Sequence, residues 1–333
     1  MMKLRRWQKA LLICLGVLLV PVVAIAIWLA MASRDIPAPD FSDLDGALAD
    51  CLELLRFGDL QTRHAPTLIQ YLASRFTLAM GLAASRELVA SNRLNESSLL
   101  LLDTALRHVD AGTNGLPMAI RGEFQFCSGI LRDLHAGRIP YDRMIDDSTT
   151  MYYLRKFGMP HFLIKPNETR LLFASGCRET IRNFRHLYRD MRFRDSDGEL
   201  ARAARRRLLW RGNAVGAILV ATLLPSMESV NKQLCRGKCD LAGVRLLIAL
   251  RRYERANGSL PDRLDDLVPG FIEAVPADPF DGQPLRYSSE RRIIWAVGEN
   301  LRDDGGSKRD SRTNAETENS RHMLDYVIAV PEL

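Results

Sequence analysis

The sequence predicts a mainly α fold. It comprises an N-terminal transmembrane helix, an all-α domain, and a small C-terminal α+β module in which a long helix lies on an antiparallel sheet. Three observations predict this. Leu11 to Ala32 is an uncharged run of 22 residues behind four cations. The middle of the chain repeats apolar side chains at helical spacing, with no strand-like alternation longer than four residues before residue 280. Residues 278–330 then turn to tight-turn residues and short β-branched or aromatic runs. The chain divides accordingly into 1–34 (cytoplasmic stretch and anchor), 35–225 (helical domain) and 226–333 (α+β module).

The anchor is a matter of length. At 1.5 Å per residue, 22 helical residues cover about 33 Å, enough for a hydrocarbon core of ~30 Å. Trp7 and Trp28 stand near its two ends, where indole rings prefer the interface. Ala30-Met31-Ala32 resembles a signal-peptide cleavage site, but the run exceeds the roughly 7–15 apolar residues of a signal-peptide core, so an uncleaved anchor is expected. Lys3, Arg5, Arg6 and Lys9 precede it and Arg34 alone stands closely after it. That asymmetry puts the N-terminus in the cytoplasm and the rest of the chain outside the bacterial inner membrane, as a single-pass protein in contact with membrane lipid.

Composition narrows the class. At 333 residues, 47% hydrophobic and 26% charged, the chain has the make-up of a folded protein. The net charge of +6 is uneven, with eleven arginines against five carboxylates between Arg178 and Arg211. Such a face either attracts a polyanion or is a solvated helix surface with local ion pairs. No helix-turn-helix, zinc-finger or RNA-binding signature accompanies it, so no nucleic-acid partner is expected. The six cysteines (Cys14, Cys51, Cys127, Cys177, Cys235 and Cys239) are scattered, unlike a disulfide framework. Cys235 and Cys239 stand one helical turn apart, as a local disulfide or as free thiols, with no second pair to complete a zinc site.

The elements are read in chain order. Pro37 and Pro39 mark a linker. Ser42 or Asp43 caps a helix through Leu44, Leu48, Cys51, Leu52 and Leu55. Leu68 to Val89 is a second helix and Asn95 to His108 a third, opened by an Asn95 cap. Asn114 to Pro117 breaks the chain before a helix from Met118 to Ala136, which Gly137 stops. Residues 138–167 read as loop with one short helix, and Glu168–Arg194 and Glu199–Trp210 as Arg-rich helices. Ala214 to Leu224 is apolar but too short to cross a bilayer, so it is expected to be buried. Helix resumes from Ser226 to Asn257 and ends at Gly258. Leu264, Leu267 and Val268 suggest a short amphipathic helix. Asp278-Pro279 and Asp281-Gly282 are turns that lead into strands Leu285–Ser288, Ile293–Val297 and Tyr326–Val330.

Four phrases in this last part carry a resemblance. They are Tyr253 to Gly258 with Pro261; Asp278-Pro279 with Gly282 and Pro284; Trp295-Ala296-Val297-Gly298; and Asn300 with Asp303-Asp304-Gly305-Gly306. Together they resemble the periplasmic part of the major pseudopilin of type II secretion. That family has a long helix ending in a Gly-x-x-Pro phrase, an Asp-Pro turn, a short strand and an acidic glycine-rich loop. The resemblance covers about 90 of the 333 residues and implies a long helix on a small antiparallel sheet. The anchor lacks the family's short leader, its glycine cleavage site and its glutamate, so processing and assembly into a pseudopilus are not expected. The whole arrangement also resembles bacterial membrane-anchored proteins that join a helical domain to this module and carry no assigned activity.

The pseudopilin resemblance further implies calcium in the acidic loop. The matching oxygens belong to Asn300, Asp303, Asp304 and Asp310, with Asp325 before the last strand. Arg302, Lys308, Arg309 and Arg312 intrude, and a solvated polar loop with internal salt links is the alternative. Ser307 to Arg321 is poor in apolar residues. The sequence contains no Gly-x-Ser-x-Gly, His-Glu-x-x-His, P-loop or dinucleotide fingerprint. Its histidines (64, 108, 135, 161, 186 and 322) are far apart. Glu123 and the pair Asp146-Asp147 are acid–base groups for which capping or ion pairing is the simpler role. The expectation is therefore a non-enzymatic protein with envelope partners, in an interaction or structural role linked to a secretion or pilus-like assembly. The alternative is an extracytoplasmic hydrolase with its site in the helical domain.

Overall fold

A computed structural model of the protein describes residues 43–109, 115–139, 165–191, 227–307 and 325–332, with Asn213, Gly216 and Val220. The protein is mostly helical and carries one small three-stranded antiparallel sheet. The expected anchor, the helix at 199–210, Asp146, Asp147 and Asp310 lie outside the described residues. Among the described residues no helix is long and apolar enough to cross a membrane.

The first three described helices start at side-chain caps. They are α1 (Leu44–His64), α2 (Leu68–Ala90) and α3 (Glu96–His108). Asp43 accepts from the Gly46 N–H at 2.9 Å and Asn95 from the Ser98 N–H at 2.8 Å, each filling an orphan donor of a first turn. Thr67 caps α2, where the sequence shows only the apolar periodicity. Helix α4 (Gly115–His135) begins three residues before the expected Met118. Pro117 falls in the first turn, where a missing N–H leaves no hydrogen bond unmade. Gly137 ends the helix as expected, at φ +67°, and its N–H reaches the Leu134 carbonyl at 3.1 Å.

Helix α5 (Pro166–Asn183) stops eleven residues short of the expected Arg194. The cause is tertiary. After Asn183 the chain turns to dock on the C-terminal module, with the Tyr188 and Arg189 N–H groups donating to the carbonyls of Pro279 and Phe280 at 3.4 and 3.0 Å. The Tyr188 ring stands edge-on to Phe280 at 5.3 Å. On the described part of the arginine-rich stretch, Arg178, Arg182, Arg185 and Arg189 are exposed while Phe173, Cys177 and Phe184 are buried.

Helix α6 (Met227–Asn257) has 31 residues and spans about 46 Å. Gly258 closes it at φ +78°, its N–H on the Glu254 carbonyl at 2.8 Å. Leu264–Leu267 is a single 3-10 turn with both leucines buried and Val268 pointing outward. The sheet runs β1 (Arg286–Ser288), β2 (Ile293–Ala296), β3 (Tyr326–Ala329), in that order and antiparallel throughout. Tyr287 faces Ile294, and Ile294 faces Ile328.

Among the described residues two apolar clusters fill the interior. One joins the start of α2 to α4, α5, Val220 and the start of α6 through Tyr71, Ile120, Phe173 and Leu234. The other joins α1, α2, α3, α6 from Cys235 onward and the sheet through Leu55, Leu102, Leu247, Phe280 and Ile294. Helix α6 thus belongs to both, and from Leu246 to Arg251 every residue is buried. A stretch of helix apolar on all faces, as Leu246–Leu250 is, must be covered on all faces; here α2 and α3 cover one side and β3 the other.

Close backbone approaches set the helix spacing. A Cβ on Gly58 of α1 would meet the Leu78 backbone nitrogen at 2.7 Å, and one on Gly122 of α4 would lie 1.7 Å from the Pro66 carbonyl oxygen. A Cβ on Gly129, on the same helix as Gly122, would meet only the end of the Arg132 side chain, at 4.0 Å. Gly122→Ala is therefore expected to destabilise the protein by about 1–3 kcal/mol through overpacking. Gly129→Ala is expected to be neutral or to stabilise by up to ~1 kcal/mol through helix propensity. Urea denaturation of the two variants checks this contrast.

Candidate functional site

The chemistry-bearing side chains of the C-terminal module converge on Arg286 of β1. The Asp278-Pro279 turn places Asp278 under the sheet with its side chain fully buried. Its Oδ1 accepts from the Phe280 N–H and its Oδ2 from the Val297 N–H, both at 2.8 Å. Arg286 Nη1 donates to Oδ2 at 2.5 Å. Asp281, from the next turn, accepts from Arg286 Nη2 and from the Gln283 N–H at 2.9 Å. Asp303, from the acidic loop, stands with Oδ2 3.5 Å from Arg286 Nε. One guanidinium thus gathers two turns and a loop onto a strand.

The two turn aspartates respond oppositely. Burial pushes the Asp278 carboxyl above the ordinary carboxylate value, against the lowering effect of its amide hydrogen bonds and of Arg286. Burial acts on Asp281 too. There the hydrogen bonds from Arg286 and Gln283, with the positive charges of Arg286 and Arg189, prevail and hold the carboxyl below that value.

The residues expected to hold calcium bond to the protein itself. Asp303 Oδ1 accepts from the Trp295 indole N–H at 2.9 Å and from the Gly305 N–H at 3.0 Å. Asp304 Oδ2 accepts from the Asn300 amide at 2.7 Å. Asp325 is buried, and its carboxylate accepts from the N–H groups of Asp304, Gly306 and Ser307 at 3.2, 2.7 and 3.3 Å. Burial raises its pKa against the effect of those bonds. Arg291 donates to the carbonyls of Gly305 and Gly306. Asn300, Asp303, Asp304 and Asp325 are brought into one loop, but their oxygens are directed at protein donors. Among the described residues no three His, Cys, Asp or Glu side chains are grouped as a metal site. As placed, the described members of this donor set do not fit a calcium ion, which takes six to eight oxygens at about 2.3–2.6 Å; Asp310 lies outside the described residues.

Compared with protein-family models, with curated proteins and with solved structures, the chain matches none.

In the helical part, a groove of about 170 Å³ between α1 and α3 is lined by Leu55, Leu101, Ala105 and Val109, with Arg56, Asp59 and His108 among its polar residues. Asp59 pairs with Arg63 at 2.8 Å. Glu123 accepts from the Leu68 N–H at 3.2 Å, so it completes the N-terminus of α2 from a neighbouring helix. His64, His108, His135 and His186 are exposed, the first three in the last turns of helices, where a cation suits the helix dipole. All five described cysteines are free and buried, Cys235 and Cys239 included, and burial pushes the Cys127 thiol up to about 12 and Cys235 to about 11.

Sequence reasoning missed the arginines. Arg251 is 2% exposed; it donates to Glu254 at 3.3 Å and to the Glu332 carbonyl at 3.0 Å. Arg292 donates to the carbonyls of Val330 and Pro331 at 3.2 and 2.5 Å. Glu299 is held by Arg236 at 2.6 Å and Lys232 at 3.0 Å, which ties the loop back to α6. Only the spacing of carboxylates against a strand arginine, Asp278 and Asp281 before Arg286, signals such a cluster.

Asp278→Asn puts an amide NH₂ where a carboxylate now takes the Val297 N–H and Arg286. A loss of about 3–5 kcal/mol is expected, as for other broken buried pairs, read from urea midpoints. For Asp281 the depressed folded pKa means its stabilisation is present above the reference value of 3.8 and fades as pH falls through the folded value. The stability difference between wild type and Asp281→Asn is thus expected to be constant at neutral pH and to shrink below about pH 4. Thermal melts of both proteins across that range measure it.

Proposed function

We propose that this is a membrane-anchored protein whose folded part lies outside the cytoplasm and serves an interaction or structural role rather than catalysis. The observation that carries this is the use made of the buried ionisable groups. Asp103 holds Arg107 at 2.8 Å and Arg245 at 3.2 Å, which joins α3 to α6. Asp240 takes Arg86 at 2.6 Å and the Tyr326 hydroxyl at 2.8 Å, which joins α2, α6 and β3. Asp278, Glu299 and Asp325 organise the module. Such groups hold elements in register, as a presenting scaffold requires, and a carboxylate already bonded to backbone N–H groups is poorly placed for proton transfer.

The order of long helix, Asp278 turn, antiparallel sheet and acidic loop supports placing the protein beside a secretion or pilus-like assembly, in line with the pseudopilin resemblance. The uncharged run from Leu11 to Ala32 supports the anchor. Helices α1 and α2 expose Phe57, Leu60, Ile69, Phe76 and Met80, each more than 40% accessible, as contact points for envelope proteins.

Two measurements test this. A reporter fused after Asp40 is expected to be active only outside the cytoplasm; activity confined to the cytoplasm sinks the location. Photocrosslinkers at Phe57, Phe76 and Met80 of the full chain in membranes are expected to give discrete protein adducts. Adducts to lipid alone would remove the protein-partner role.

A further inference from the structure

The acidic loop has the composition of a calcium site and the hydrogen bonding of something else. We infer that the Arg286 guanidinium is the internal cation of the C-terminal module, and that the loop closes without a divalent metal. Calcium would draw on two kinds of oxygen, carboxylate and backbone carbonyl. Arginines hold both kinds here. Arg286 pairs with Asp278, Asp281 and Asp303, which come from three separate segments, Asp303 being the one of the three that the resemblance assigns to calcium. Arg291, in the turn between β1 and β2, takes the Gly305 and Gly306 carbonyls. Among the described carboxylate oxygens of the loop, Asp303 Oδ1 accepts from Trp295 and Gly305, Asp304 Oδ2 from Asn300, and both Asp325 oxygens from backbone N–H groups.

The guanidinium suits this task better than an ammonium group does. It is planar, permanently charged and offers five donors in a fixed fork, so one side chain serves three carboxylates at different angles. It is also covalently part of the sheet. Closure of the loop therefore does not depend on metal concentration, which in an extracytoplasmic setting varies with the medium. The module's internal charges are independent of the proposed partner role, so either can fail without the other.

The test uses the full chain in detergent. Thermal melts in millimolar calcium and in chelator are expected to give the same midpoint for the wild type, and calcium titration calorimetry no saturable heat. Arg286→Met is expected to melt several degrees lower in both solutions alike, and Arg286→Lys, which keeps the charge but loses the fork, to fall between. A wild-type midpoint that rises with calcium, or an Arg286→Met variant as stable as the wild type, overturns the inference. If the Met variant does not fold, the wild-type comparison and the Lys variant still decide it.

Discussion

The burial of α6 on every side from Leu246 to Arg251 is the constraint on which the rest of the structure depends. Leu246 to Leu250 are all at or below 1% exposed, and Arg251 at 2%. A helix in that position cannot present a polar face to water, so helices must cover one side and a sheet the other. Gly243 permits the second contact: a Cβ there would meet the Ile328 side chain at 2.1 Å. Burying each such leucine contributes on the order of 1.5–3 kcal/mol, and the benefit is shared between the bundle and the sheet. The apolar cluster accordingly runs from Leu48 to Val330, across residues 35–225 and 226–333 alike.

Charge is organised around that core rather than scattered over it. Pairs such as Arg263 and Asp265 are well exposed and contribute little. Those of Asp103, Asp240, Asp278 and Glu299 have a carboxylate mostly out of water, so losing either partner leaves a charge that neither solvent nor apolar neighbours accommodate. The partner is an arginine in nearly every case. A fork that reaches two elements at once can tie a strand to a turn, or a helix to a loop, where a lysine would reach one.

Much of the fold was legible. Asp43 and Asn95 as caps, Gly137 and Gly258 as stops, and the three strands could be read because each depends on residues within a turn or two of itself. The features that escaped depend on distance. The helical pattern through Arg194 is sound as periodicity, yet the chain leaves the helix at Asn183 because Pro279 and Phe280, almost a hundred positions later, offer carbonyls and a ring. Pro117 read as a break, while the backbone uses it inside a first turn. Asp278 and Asp281 were recognisable as turn formers. That Arg286 would collect them and Asp303 emerges only once β1 and the loop are set beside each other. Asp325 suits a metal by its chemistry; that its oxygens receive three amides of the loop is visible only once the loop is set beside the last strand.

The docking of Tyr188 and Arg189 has a consequence for how the molecule opens. Their amide protons are bonded to the turn at Pro279 and Phe280, not to α5, which directly precedes them in the chain. Exchange of those protons with solvent therefore reports the loosening of the C-terminal sheet and its turns, and not the fraying of the neighbouring helix. The cooperative unit crosses the chain order. A protease that nicks the connection after Asn183 would release no free tail, because the segment beyond the cut is already stitched to the far end of the protein.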